Sequence, residues 1–203
     1  MLINKKQLIN LQLIALLLVA CNSDYIPKPR GYFRIDLPEK SYQPWQNDCP
    51  FTFEYSKMAL VTADTERLSE PCWLNIDYPK HKATIHLSYK PVENNIEQFL
   101  EDARTLVYKH TVKASDINET LVRRDSAKVY GLIYDLEGGT ASPYQFYLTD
   151  STNHFVRGAL YFNVRTNTDS LAPVAAYIKK DIRHFIDTFE WIGQAKSSVH
   201  QKN

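Results

Sequence analysis

The stretch Lys128-Val129-Tyr130-Gly131-Leu132-Ile133-Tyr134-Asp135-Leu136-Glu137 decides the fold. Val129 and Ile133 fall on one side of an extended chain, and Tyr130, Leu132, Tyr134 and Leu136 on the other. A strand apolar on both faces has to be covered on both, which places it centrally in a sheet between layers. Gly138-Gly139 follows it as a hairpin turn, and Tyr144 to Thr149 continues as the next strand. Asp150 to Asn153 then turns the chain into a further strand from His154 to Val164, and Asp125-Ser126 separates Lys128 from a strand over Thr120 to Arg124. Strands that succeed one another at hairpin distance pair antiparallel.

Upstream, Phe51 to Tyr55 and Cys72 to Asp77 read as strands, the latter turning through Tyr78-Pro79-Lys80-His81 into Ala83 to Tyr89. In that segment Ala83, Ile85, Leu87 and Tyr89 alternate with Thr84, His86 and Ser88, the period of a half-buried strand. Between these groups, Ile96, Phe99, Leu100, Ala103, Leu106 and Val107 recur at helical spacing, with Asn94 as N-cap and Glu97 three residues on. A second helix carries Leu171, Val174, Ala175, Ile178, Ile182, Phe185, Ile186 and Phe189 in one stripe, with Pro173 in the first turn after a cap at Thr168 or Asp169. The expected class is α+β, a mostly antiparallel sheet flanked by helices in one domain over 31–193, with a polar tail over 194–203.

The first twenty residues have a different character. Lys5 and Lys6 precede an apolar run from Leu8 to Ala20, too short at 14 residues from Gln7 for a helix that needs about 20 to span a bilayer. Residues 1–20 read as a secretory signal, and Leu18-Val19-Ala20-Cys21 fits a lipobox with Cys21 as the acylated first residue of the mature chain. Two or more acyl chains hold a protein to a membrane where one would let it go. Residues 21–30 then form a tether, and the prolines at 27, 29, 38, 44 and 50 deny the segment a helix. Gly31 to Trp45 nevertheless carries Tyr32, Phe33, Ile35, Leu37, Tyr42 and Trp45, so it packs on the domain or on a partner. The alternation of Phe33, Ile35 and Leu37 favours a strand with one buried face.

Charge and motifs restrict the function. Without Lys5 and Lys6 the chain keeps 22 of its 24 basic side chains against 23 acidic ones, which argues against nucleic acid as a partner. Cys49 and Cys72, each beside a proline, are free to bridge in an oxidising compartment or to stay as buried thiols. Their spacing is not that of a redox motif, and no histidine pair accompanies them to make a metal site. The histidines at 81, 86, 110, 154, 184 and 200 lack metalloprotease spacing, no nucleophile elbow occurs, and the glycines form no phosphate loop. No metal, cofactor, catalytic residue or small-molecule substrate is expected. Tyr144, Tyr147 and Tyr161 on the strands belong either to the core or to an interaction surface.

The strings Tyr25-Ile26-Pro27-Lys28-Pro29-Arg30-Gly31-Tyr32-Phe33-Arg34-Ile35-Asp36-Leu37-Pro38, Cys49-Pro50-Phe51-Thr52-Phe53, Pro71-Cys72-Trp73, Ile85-His86-Leu87-Ser88-Tyr89-Lys90, Leu148-Thr149-Asp150-Ser151 and His154-Phe155-Val156-Arg157-Gly158-Ala159-Leu160-Tyr161-Phe162 resemble the gliding-motility lipoprotein GldD family of Bacteroidetes. The resemblance runs over nearly the whole mature chain. It implies a lipid-anchored envelope protein required for gliding and linked to the type IX secretion machinery. Its partners would be other proteins of that machinery, and it brings no catalytic residues to transfer. The order of elements is also similar to the Mog1/PsbP-type sandwich, a likeness of topology that says little about function. Ser126, Ser151 and Ser170 stand in Asp-Ser-X tripeptides like those O-glycosylated in Bacteroidetes. The leading expectation is a non-enzymatic assembly or stabilising component at the periplasmic face of the outer membrane. The alternative is a periplasmic ligand-binding or hydrolytic domain whose site gathers residues distant in sequence.

Overall fold

The computed structural model describes residues 37–109, 114–164 and 168–193, without the side chains of 168–170. The lipobox cysteine Cys21, the tether, the polar tail, and Phe33 and Ile35 all lie outside the described residues. Ten strands and two helices follow one another as β1 (Tyr42–Trp45), β2 (Phe51–Ser56), β3 (Leu60–Ala63), β4 (Leu74–Tyr78), β5 (Ala83–Pro91), α1 (Ile96–Tyr108), β6 (Ala114–Arg124), β7 (Val129–Gly138), β8 (Tyr144–Thr149), β9 (His154–Phe162), α2 (Thr168–Thr188) and β10 (Glu190–Trp191).

Seven strands form one antiparallel sheet in the order β3-β4-β5-β9-β8-β7-β6. Its period-2 pattern sorts the side chains onto two faces. Ile76, Ile85, Leu87, Ile133, Phe146, Leu148, Val156 and Leu160 join Val174, Ile178, Ile182 and Phe185 of α2 in the main core. On the opposite face Tyr134 and Leu136 pack with Val107 of α1, and Phe99 of α1 meets the ring of Phe155. β7 is therefore covered on both faces. It is second from the edge rather than in the middle, which β9 occupies, because the β5–β9 pairing carries the chain across the sheet.

A smaller sheet, β1-β2-β10, lies along α2: Phe53 of β2 meets Phe185 with ring centroids 4.5 Å apart, and Phe51 meets Phe189 at 5.5 Å. Two of its strands escape the sequence reading. β1 contains Pro44 and pairs only with β2, the edge position where a missing N–H is tolerated. β10 is only two residues long.

Two local expectations are corrected, and one that stood between two alternatives is decided. The residue preceding α1 is Asn95 rather than Asn94, which sits in the left-handed region at φ 60°; the Asn95 side chain accepts from Glu93 N–H and makes no bond to the helix. Pro173 is the sixth residue of α2, beyond its first turn, where the ring removes one intrahelical hydrogen bond. Tyr144 is fully buried in the core and offers no surface, because its position opposite Leu160 turns it toward α2. Tyr147 and Tyr161 are half-buried.

Leu37 and Trp45 pack against the main core. The ammonium of Lys40 pairs at 2.8 Å with Asp181 of α2, a carboxylate only 3% exposed, and donates to the Tyr177 carbonyl. Tyr78 donates to the other oxygen of Asp181 at 3.2 Å, and Tyr177 donates to the Pro38 carbonyl. Burial holds the Lys40 amine below its ordinary value although Asp181 pulls it back up, and the same burial, helped by Asp181, pushes the Tyr42 phenol up to about 12. The segment 37–45 is thus built into the domain along α2.

Candidate functional site

The β8–β9 turn and the β6–β7 turn reach the same end of the large sheet, where β5 finishes and β10 crosses. They enclose an open cleft of about 920 Å³. Asp150 shapes the first turn: its Oδ1 accepts from the N–H groups of Thr152, Asn153 and His154 at 2.8 to 3.0 Å, and Ser151 takes the left-handed conformation at φ 68°. Burial works against ionising this carboxyl, but the three N–H groups and the Thr152 hydroxyl outweigh it and hold its pKa below the ordinary value.

His154, thus placed, stacks on Trp191 with ring centroids 5.1 Å apart. Its Nδ1 lies 2.9 Å from the Tyr89 hydroxyl. Burial lowers the imidazole's pKa, with Asp150 pulling the other way, and burial raises that of Tyr89. At that contact the neutral ring either accepts from the phenol or donates to it, according to which ring nitrogen carries the proton. The indole N–H of Trp191 donates to the Lys128 carbonyl at 3.1 Å. Arg124 donates through Nη1 to the carbonyls of Ile186 and Phe189 at the end of α2. Such a guanidinium satisfies carbonyls that a helix C-terminus leaves without partners.

Most of these polar groups already have partners, chiefly in the backbone. Asp150 holds a turn, Arg124 caps a helix, and the Trp191 N–H is satisfied by backbone. Among the described residues the His154 imidazole has the Tyr89 hydroxyl as its hydrogen-bonding partner. What remains open is a rim with Glu93, Ser126, Lys128 and Glu190 above an aromatic floor, an arrangement suited to contact and hydrogen bonding. Among the described residues no group of three or more His, Cys, Asp or Glu side chains could hold a metal ion, and no helix is long and apolar enough to cross a membrane.

Cys49 and Cys72 are joined in a disulfide, Cα atoms 5.7 Å apart, which ties the start of β2 to the start of β4. Ser126 and Ser151 are both exposed, in the β6–β7 and β8–β9 turns beside the cleft, while Ser170 lies in the first turn of α2 with its side chain outside the described residues. The strap around Asp181 and the cleft around His154 escape sequence reading because their members are over 60 residues apart in places. One signal was present: Asp181 stands beside Ile178 and Ile182 in the apolar stripe of α2, where a carboxylate needs a partner.

Among solved structures the chain is similar to cyanobacterial PsbP (CyanoP) from Synechocystis, with 9% identity over 78% of this chain and 97% of that one at a TM-score of 0.47. No curated protein matches the chain. The family model described as gliding motility lipoprotein GldD matches residues 22–191, from just after Cys21 to the final strand of the small sheet. Matched over that length, the chain belongs to the gliding motility lipoprotein GldD family.

Proposed function

We propose that this lipoprotein is a non-enzymatic component that assembles or stabilises the gliding and type IX secretion machinery through protein contacts. Family membership supports the gliding role. The observation that carries the non-enzymatic part is the state of the cleft, whose His154, Asp150, Arg124 and Trp191 are committed to Tyr89, a turn, a helix end and a backbone carbonyl. Residues 1–20 serve as the signal, Cys21 carries the lipid, 21–30 tether the domain of 31–193, and the anchor lies in the outer membrane facing the periplasm. Ser126, Ser151 and Ser170 are the candidate O-glycosylation sites, of which the first two stand in exposed turns.

The experiment replaces Cys21 with alanine in cells, fractionates them and follows gliding, secretion and in-cell crosslinks. The expected outcome is loss of the protein from membranes together with loss of gliding and of its crosslinked partners. Normal gliding by a soluble, unlipidated form would defeat the tethered role. The size of the cleft supports a second reading, a ligand-binding domain. Tyr89→Phe with His154→Gln separates the two: gliding unaffected by the pair speaks for the scaffold, and gliding lost by a stably folded variant speaks for the ligand.

A further inference from the structure

The two edges of the large sheet are unequal. β3 at one end has four residues, whereas β6 at the other has eleven, contains no proline, and after an irregularity between Ala114 and Asp116 runs regularly from Asp116 to Arg124 with β7 as its only pairing strand among the described residues. Long open edges recruit other strands, and native proteins usually shorten them, interrupt them or place lysines on them. On β6 the register places Glu119, Leu121 and Arg123 opposite Tyr134, Leu132 and Tyr130, on the face that α1 covers further in. All three side chains are exposed, Leu121 at 72%.

These three residues are complementary to themselves. A two-fold axis normal to the sheet keeps each face continuous across a new antiparallel pair, so only residues of the same face can stand opposite each other. With the axis at Leu121, that leucine meets its own copy, and Glu119 of each chain meets Arg123 of the other on either side. Val122 and Thr120 face each other on the reverse. Among the described residues Glu119 uses one oxygen, on Tyr108, and Arg123 uses Nε, on Asp125, which leaves the second carboxylate oxygen and both terminal guanidinium nitrogens for the crossed pairs. We propose that a second copy of this chain occupies the β6 edge, the two sheets joining antiparallel about Leu121 into one continuous sheet.

Oxidative crosslinking in intact cells tests this on the full-length lipoprotein. A disulfide forms only when Cα atoms approach within about 7 Å, so Leu121→Cys should give a band of doubled mass about tenfold stronger than Asn118→Cys, which the register places opposite Arg124. Adding Glu119→Arg to Leu121→Cys should abolish the band through like charge, and adding Arg123→Glu as well should restore it. These positions are exposed, and a melt of each purified variant confirms that it folds. A doubled band equally strong at 118 and 121, a band insensitive to the charge reversal, or a crosslink only to a protein of different mass would overturn the proposal.

Discussion

Lys82 and Lys128 do the same work in two hairpins. Each follows a single turn of 3₁₀-helix, Pro79–His81 between β4 and β5 and Asp125–Ala127 between β6 and β7, and each holds the left-handed conformation, at φ 48° and 50°. An L-residue pays about 1 kcal/mol there, which glycine avoids at some entropic cost in the unfolded chain. Neither ammonium has a hydrogen-bonding or ionic partner among the described residues. Lys82→Gly and Lys128→Gly should therefore each raise stability slightly, by up to about 1 kcal/mol, in urea unfolding. Histidine supplies the pH dependence. Burial lowers the pKa of His154 in the cleft and of His81 beside the strap, where Lys40 adds to the effect. The unfolded chain then takes up protons near the ordinary value of about 6.5 while the folded chain resists them. Stability should be constant above that pH and fall as it drops through 6.5 toward 5. His81→Asn with His154→Gln should flatten the fall, and an unchanged slope would count against these two groups.

At the scale of the element, β9 is held to one side chain at Gly158. A Cβ there would stand 2.2 Å from the edge of the Phe146 ring on β8, the strand paired beside it. Phe146 is itself buried against Phe185 of α2, with centroids 5.6 Å apart, so the ring cannot move aside without disturbing the core. Gly158→Ala should cost about 1 to 3 kcal/mol by overpacking, and Phe146→Leu in the same chain should return part of it. Melting of the single and double variants measures the coupling. The sequence alone shows a glycine inside an apolar strand, which marks a close approach without saying to what.

Across the whole molecule, the Cys49–Cys72 disulfide links the small sheet to the large one, where Phe51 and Phe53 already share a core with α2. A closed loop of 23 residues stabilises by about 3 kcal/mol in the chain-entropy account. Cys49→Ser and Cys72→Ser should each destabilise by about that amount, and the double variant should add little, since one bridge is lost either way. Labelling of both thiols in the unfolded, unreduced protein would refute the bond. Cys72 also sits at φ 65°, a conformation unfavourable for a residue with a Cβ, which the bridge and the pairing of the following strand hold in place.

What the sequence determined by itself was periodic: the two-sided apolar run of β7, the alternation of β5, and the helical stripes of α1 and α2 each report which side of an element faces away from water, because burial of apolar side chains repeats with the backbone. The long strings of the family resemblance are likewise local, and could be read as they stood. Tertiary structure alone decided which strand was central, that Lys40 and Asp181 meet, and that Tyr89, His154 and Trp191 come together at one end of the sheet. Those are partnerships between single residues 37 to 141 positions apart, set by strand order and register, and an isolated polar residue carries no period that names its partner.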